Sequence, residues 1–123
     1  MKTIFLLLAL SSFTLSSDEI GTNKIMETLY LKNACNACHG MYGEGIGASP
    51  RLQGVKEDIL LRRLKDLKAG RPRSAFGSIM ISFAQALDEN ETKAMAKYLS
   101  NLKTIIPDDR YDIEYTTVGD GGS

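Results

Sequence analysis

Cys35-Asn36-Ala37-Cys38-His39 is the stretch on which the reading of this chain turns. Two thiols separated by two residues, with an imidazole directly after them, form the attachment sequence for a c-type haem. The spacing lets both sulfurs reach the two vinyl groups of one porphyrin and form thioethers. The next residue then places an imidazole under the iron. A haem held covalently needs no large apolar pocket, and it suits a chain whose aromatic share is 7% with no Trp. Competing readings fit less well. A dithiol redox motif normally sits beside a βαβ pattern, and no strand pattern stands out here. A zinc site has only His39 to add to the two Cys, with no second pair. A disulfide between residues this close closes almost no loop and stabilises little.

The segments around the motif have helical periodicity. In residues 18–34, Ile25, Met26, Leu29 and Tyr30 recur at intervals of one turn, which predicts an amphipathic helix running into Cys35. Residues 40–54 hold five Gly and Pro50, the composition of a loop. A second helix is predicted over 57–69, with Ile59, Leu60, Leu64 and Leu67 on one face and Gly70 as its stop. Pro72 breaks the chain after it, and a short helical stretch is expected over 75–86. The last helix has the clearest start. Asp88 is a good N-cap and Glu91, three positions later, completes a capping box. Ala94, Met95, Tyr98, Leu99 and Leu102 form its buried stripe, and Pro107 is expected to close it. The domain is therefore expected to be all-α.

The length of 123 residues allows one small domain. The N-terminus has one Lys, a short apolar run over residues 4–10 and then small residues. This reads as a secretory signal peptide over residues 1–17, with cleavage expected between Ser16 and Asp18. An uncleaved membrane anchor is the alternative, but the run falls short of the ~20 apolar residues a spanning helix needs. The domain then covers 18–106, and the cleaved product is expected to be soluble and periplasmic. Residues 107–123 form an acidic tail expected to be mobile, with Asp108, Asp109, Asp112, Glu114 and Asp120 against Arg110. A formal net charge of +0 excludes bulk attraction to nucleic acid as the main activity. That zero hides a division: residues 51–73 carry eight basic groups (Arg51, Lys56, Arg62, Arg63, Lys65, Lys68, Arg71, Arg73) against three acids. This stretch is a candidate docking surface for an acidic redox partner, a reductase or an oxidase. Its bland alternative is the solvated face of a helix.

A haem iron has two axial positions, and His39 takes one. It is the only His in the chain, so the second ligand is not another His. A Met thioether is the common alternative and raises the reduction potential. Met26 precedes the motif, Met41 is tethered to the same side as His39, and Met95 belongs to a core stripe. Met80 lies far enough along to cross to the other face and is the candidate, with a Lys ligand or an open site as alternatives. Arg71 or Arg73 is a candidate partner for a haem propionate.

These residues together resemble the class I c-type cytochromes, the small monohaem type of bacterial periplasms, over residues 20–103. Cys35 to Gly40 looks like the family's attachment site at the end of its first helix. Ala48-Ser49-Pro50-Arg51-Leu52 is similar to its Pro-x-Leu segment, Met80 to Asp88 to its Met-ligand segment, and Ala94 to Leu99 to its closing helix. The resemblance implies a cytochrome c-like fold of three to five helices around one covalently bound haem c. Cys35 and Cys38 would form the thioethers, and His39 and Met80 would be the axial iron ligands. The Pro50 carbonyl would accept the Nδ1 proton of His39, and Leu52 would pack on the haem. The implied function is that of a monomeric periplasmic electron carrier rather than an enzyme. The rivals are a haem enzyme or gas sensor with an open sixth site, and a fixed subunit of a larger oxidoreductase. Two departures concern packing. The family often has Gly two turns before the first Cys, where this chain has Glu27, and an aromatic one turn before it, where this chain has Leu31 with Tyr30 one residue early.

Overall fold

The computed structural model describes residues 17–105, so the leader and the acidic tail lie outside the described residues. Five α-helices make up the fold, and the described residues contain no strand. Helix α1 spans Ser17–Lys32, α2 Cys35–His39 and α3 Glu57–Lys68; a 3-10 turn over Phe76–Ile79 leads into α4, Met80–Gln85, and α5 is Glu89–Asn101.

The first helix does not run unbroken into the motif. Asn33 and Ala34 form a turn, and Ala34 takes the left-handed conformation at φ 55°. That conformation ends α1 and lets a new short helix begin at Cys35. The buried face of α1 is also narrower than its periodicity suggested. Met26 and Tyr30, four residues apart, are almost wholly buried, whereas Ile25 is 63% exposed. Ile25 stands about 100° around the helix from Met26, outside the stripe that meets the core.

Helix α5 starts as its sequence requires. The Glu91 amide donates to the Asp88 carboxylate at 2.8 Å and the Asp88 amide donates to the Glu91 carboxylate at 2.8 Å, a complete capping box. Its C-terminus comes at Asn101, well before Pro107, because Leu102 turns extended (ψ 133°) and packs its side chain against the core. The extended exit is held by Thr104, whose hydroxyl accepts from the Gln53 amide at 2.8 Å.

The core is one cluster of Met26, Tyr30, Leu60, Leu87, Met95, Ala96 and Leu99. It lies where α5 packs against α1 on one side and α3 on the other, with α4 against α3. Tyr30 and Tyr98 make the contact between first and last helix, their ring centroids 6.3 Å apart at 58°, an arrangement favoured by the ring quadrupoles. Glu27 stays exposed outside this contact, and so does Leu31, so the early Tyr30 does the aromatic packing. At the far end, Lys68 caps two elements: its ammonium donates to the Leu87 carbonyl and to the Thr92 hydroxyl. The α3 stripe is mostly half-buried, with only Leu60 fully inside. The reason is that much of this face forms the wall of a cavity rather than a helix contact.

Candidate functional site

The cavity has a volume of about 460 Å³ and is walled by Leu60, Leu64 and Leu67 of α3, with Leu52 and Leu99 beside them. A concave, mainly apolar site of this size suits a small molecule or cofactor. His39 and Cys38 enter it from α2, and Met80 enters it from the first residue of α4. The sequence-predicted residues are therefore brought together, though not all in the same way. Cys38 is exposed and lines the cavity, whereas Cys35 is half-buried and packs against the core cluster. Burial pushes the Cys35 thiol above its ordinary range, since the thiolate would lose its hydration. Pro50 and Leu52 also line the cavity. Met26 and Met95 are 4% and 3% exposed in the core, and Met41 is 53% exposed, so Met80 is the methionine at the site.

His39 is 4% exposed, and its Nδ1 lies 2.8 Å from the Pro50 carbonyl oxygen. A carbonyl only accepts, so Nδ1 carries the proton and donates it. The neutral ring then has its lone pair on Nε2, the atom a metal would bind. The loop between the two residues makes this possible. The Gly45 amide donates to the His39 carbonyl at 2.8 Å, and the Gly43 carbonyl accepts from both Leu52 and Gln53. Gly45 has φ +88°, and a Cβ there would stand 2.9 Å from the Arg51 amide nitrogen and 3.0 Å from the Ser49 carbonyl oxygen. Only a residue without a side chain lets the returning arm of the loop come so close.

Tyr30 ties this loop to the core. Its hydroxyl donates to the carbonyl of Gly40, the residue after His39, at 2.7 Å. Burial, with smaller contributions from Cys35 and Glu44, pushes its phenol far above the ordinary value. Burial also raises Tyr98, helped by the Glu27 carboxylate.

The donor set fits an iron porphyrin: two thiols at thioether spacing, one imidazole with a fixed tautomer and one thioether, around an apolar slot. Among the described residues no group of three or more His, Cys, Asp or Glu is placed to hold a metal ion, so the zinc alternative gains no support. The sequence reading missed Arg63 as a residue of the site, counting it only with the basic stretch 51–73 offered as a docking surface; Arg63 lines the cavity. The signal was present, because Leu60, Arg63, Leu64 and Leu67 are spaced i, i+3, i+4 and i+7, which puts all four on one helix face.

The family model for cytochrome c matches residues 26–103. The chain belongs to the cytochrome c family. That is a family of c-type haem electron carriers, and haem c is the cofactor that the Cys35–His39 sequence serves. Among the curated relatives, the thiosulfate dehydrogenase electron acceptor of Stutzerimonas stutzeri (strain A1501) is 35% identical over 69 residues, 55% of this chain and 32% of that protein. The chain thus spans about a third of that relative's length. The cytochrome c-553 of Nitratidesulfovibrio vulgaris (strain DSM 19637 / Miyazaki F) is 31% identical over 74 residues, 58% of this chain and 72% of the relative. The cytochrome c-553 of Helicobacter pylori (strain ATCC 700392 / 26695) is 33% identical over 75 residues, 59% and 75% respectively. Among the described residues no helix is long and apolar enough to cross a membrane.

Proposed function

We propose that the chain is a periplasmic electron carrier, not an enzyme, with haem attached through Cys35 and Cys38 and with His39 and Met80 as axial ligands. The observation that carries this reading is the convergence of His39 and Met80, 41 positions apart in the sequence, on one apolar cavity that also holds Cys38. When bound, haem c supplies a one-electron couple, and the protein's part is binding, orientation and tuning. The Pro50 carbonyl keeps the proton on His39 Nδ1 and so keeps Nε2 a donor with a fixed ring plane. Leu60, Leu64 and Leu67 give the cavity an apolar wall that would keep water from a bound haem, and with a thioether ligand this would favour a higher potential.

The rim of the cavity supports the role of a carrier that meets partners there. Phe76 and Ile79 line it and are 77% and 64% exposed, beside exposed Arg71 and Arg73. An apolar patch flanked by positive charge suits a partner with an acidic rim around its own redox centre, and attraction of this kind speeds association in a salt-dependent way. The relative named as an electron acceptor of thiosulfate dehydrogenase favours a dehydrogenase as the electron-donating partner.

Replacing Met80 by Ala tests the ligand assignment. The variant is expected to keep its covalent haem, to lose the Met-to-iron charge-transfer band and to show a lower reduction potential. An unchanged band and potential would refute Met80 as the ligand.

A further inference from the structure

Met80 is the first residue of α4, a helix of six residues, and the two ends of that helix are held differently. Before Met80 the chain is exposed at Arg73 to Phe76, Ser78 and Ile79. Its hydrogen bonds stay local: the Gly77 amide donates to the Ser74 hydroxyl at 3.1 Å, and the Ser78 hydroxyl donates to the Ala75 carbonyl at 2.6 Å. Among the described residues, none made by residues 73–79 reaches an element other than α4. After Met80, α3 and α4 exchange side chains. The ammonium of Lys68, the last residue of α3, donates to the Leu87 carbonyl, shortly beyond α4, and to the Thr92 hydroxyl of α5. In return Gln85, the last residue of α4, donates its side-chain amide to the Lys68 carbonyl at 3.2 Å. No backbone amide among the described residues reaches either carbonyl, so each helix end takes its partner from the other helix. Thr92 is buried, and its hydroxyl donates onward to the Asp88 carbonyl at 2.6 Å. One ammonium thus joins the end of α3, the end of α4 and the start of α5.

Ala84 and Leu87 bury the same end of α4. Apolar burial has no direction, so the angle of the helix is set by the bonds that do. About 7.5 Å of helix separates Gln85 from Met80, and a tilt of about 10° around that end moves Met80 by about 1 Å. A metal ligand has to be held to about 0.5 Å. We infer that Lys68 is a positioning residue for the axial thioether: by fixing the far end of α4 it holds Met80 over the iron. This rests on the reading of Met80 as a ligand given above. Lys68 itself touches neither the cavity nor its occupant, and acts only through the angle of α4.

The test is a titration of the ferric holoprotein with imidazole at neutral pH, followed by loss of the Met-to-iron charge-transfer band. Imidazole takes the sixth position only when Met80 leaves, so its apparent affinity reports how firmly Met80 is held. Lys68→Leu is expected to bind imidazole about tenfold more tightly than wild type, the worth of a hydrogen bond from a charged donor. Far-ultraviolet circular dichroism is expected to show it fully folded under the same conditions. In the Met80→Ala background the same change is expected to leave imidazole affinity unaltered. Equal affinity in Lys68→Leu and wild type, or an equal gain in the Met80→Ala background, overturns the inference while leaving the ligand reading intact. A wild-type protein without the band, or Met80→Ala retaining it, overturns the ligand reading itself. If Lys68→Leu does not mature, Lys68→Gln decides: tighter imidazole binding than wild type supports the inference, and equal binding overturns it.

Discussion

Replacing Tyr30 by Phe separates two effects that share one hydroxyl. The ring is 1% exposed and its packing against Tyr98 is kept by Phe, so the change removes the polar contacts of the hydroxyl, chiefly its hydrogen bond to the Gly40 carbonyl. That carbonyl retains the Gly43 amide as a second donor at 3.2 Å, so it is not left bare. The expected loss at neutral pH is therefore the net worth of one neutral hydrogen bond, about 1 kcal/mol. The phenol adds a pH dependence of known sign. Its folded value is raised by burial, while in the unfolded chain it ionises near its ordinary value of about 10. Above that pH the unfolded state binds fewer protons than the folded one, so wild-type stability falls as pH rises. The loss amounts to about 1.4 kcal/mol one unit above the ordinary value. The Tyr30→Phe variant has no such dependence, and Tyr98 titrates in both proteins and drops out of the difference. The two stability curves should then meet between about pH 10 and pH 11, wild type being the more stable below that point. Denaturant unfolding of both holoproteins, followed by far-ultraviolet circular dichroism at a series of pH values, measures the gap. A gap that stays constant into the alkaline range would refute the claim that the buried phenol stays neutral in the fold.

Two further substitutions probe the parts that position the site. Gly45→Ala forces a side chain into a left-handed residue and against the Arg51 and Ser49 backbone; a loss of about 2 kcal/mol or more is expected, read as a fall of about 10 °C in the thermal midpoint, and co-melting with wild type would contradict it. Asp88→Ala removes the capping box of α5 and should cost about 1 kcal/mol, with Asp88→Asn restoring most of it. No recovery with Asn would mean that the carboxylate acts through charge rather than through the cap.

The motif and the helices that frame it were legible because each depends on local chemistry. Asp88 and Glu91 specify a helix start whatever surrounds them, and the residues at 35, 38 and 39 have by themselves the spacing of a haem c attachment sequence. What depended on packing was read less well. Ile25 looks as apolar as Met26, and only the angle at which α1 meets α5 decides which of them is covered. The end of α5 at Asn101 follows from Leu102 turning into the core and from Gln53 reaching Thr104, a pairing across the fold that no local pattern announces. Arg63 was hidden for a different reason. A charge within a basic run looks solvated, and its burial shows only when the helix face is laid against the cavity.

The partner of His39 is a main-chain oxygen, and this has a bearing on how the chain tolerates change. No replacement of the side chain at position 50 deletes that acceptor. What proline adds is restraint: a fixed φ, and no amide hydrogen of its own to compete for nearby oxygens. The orientation of the imidazole is thus insured against the chemistry of drift but not against its geometry. Insertions or deletions between Gly40 and Leu52 would break it, whereas a point substitution at 50 would only loosen it.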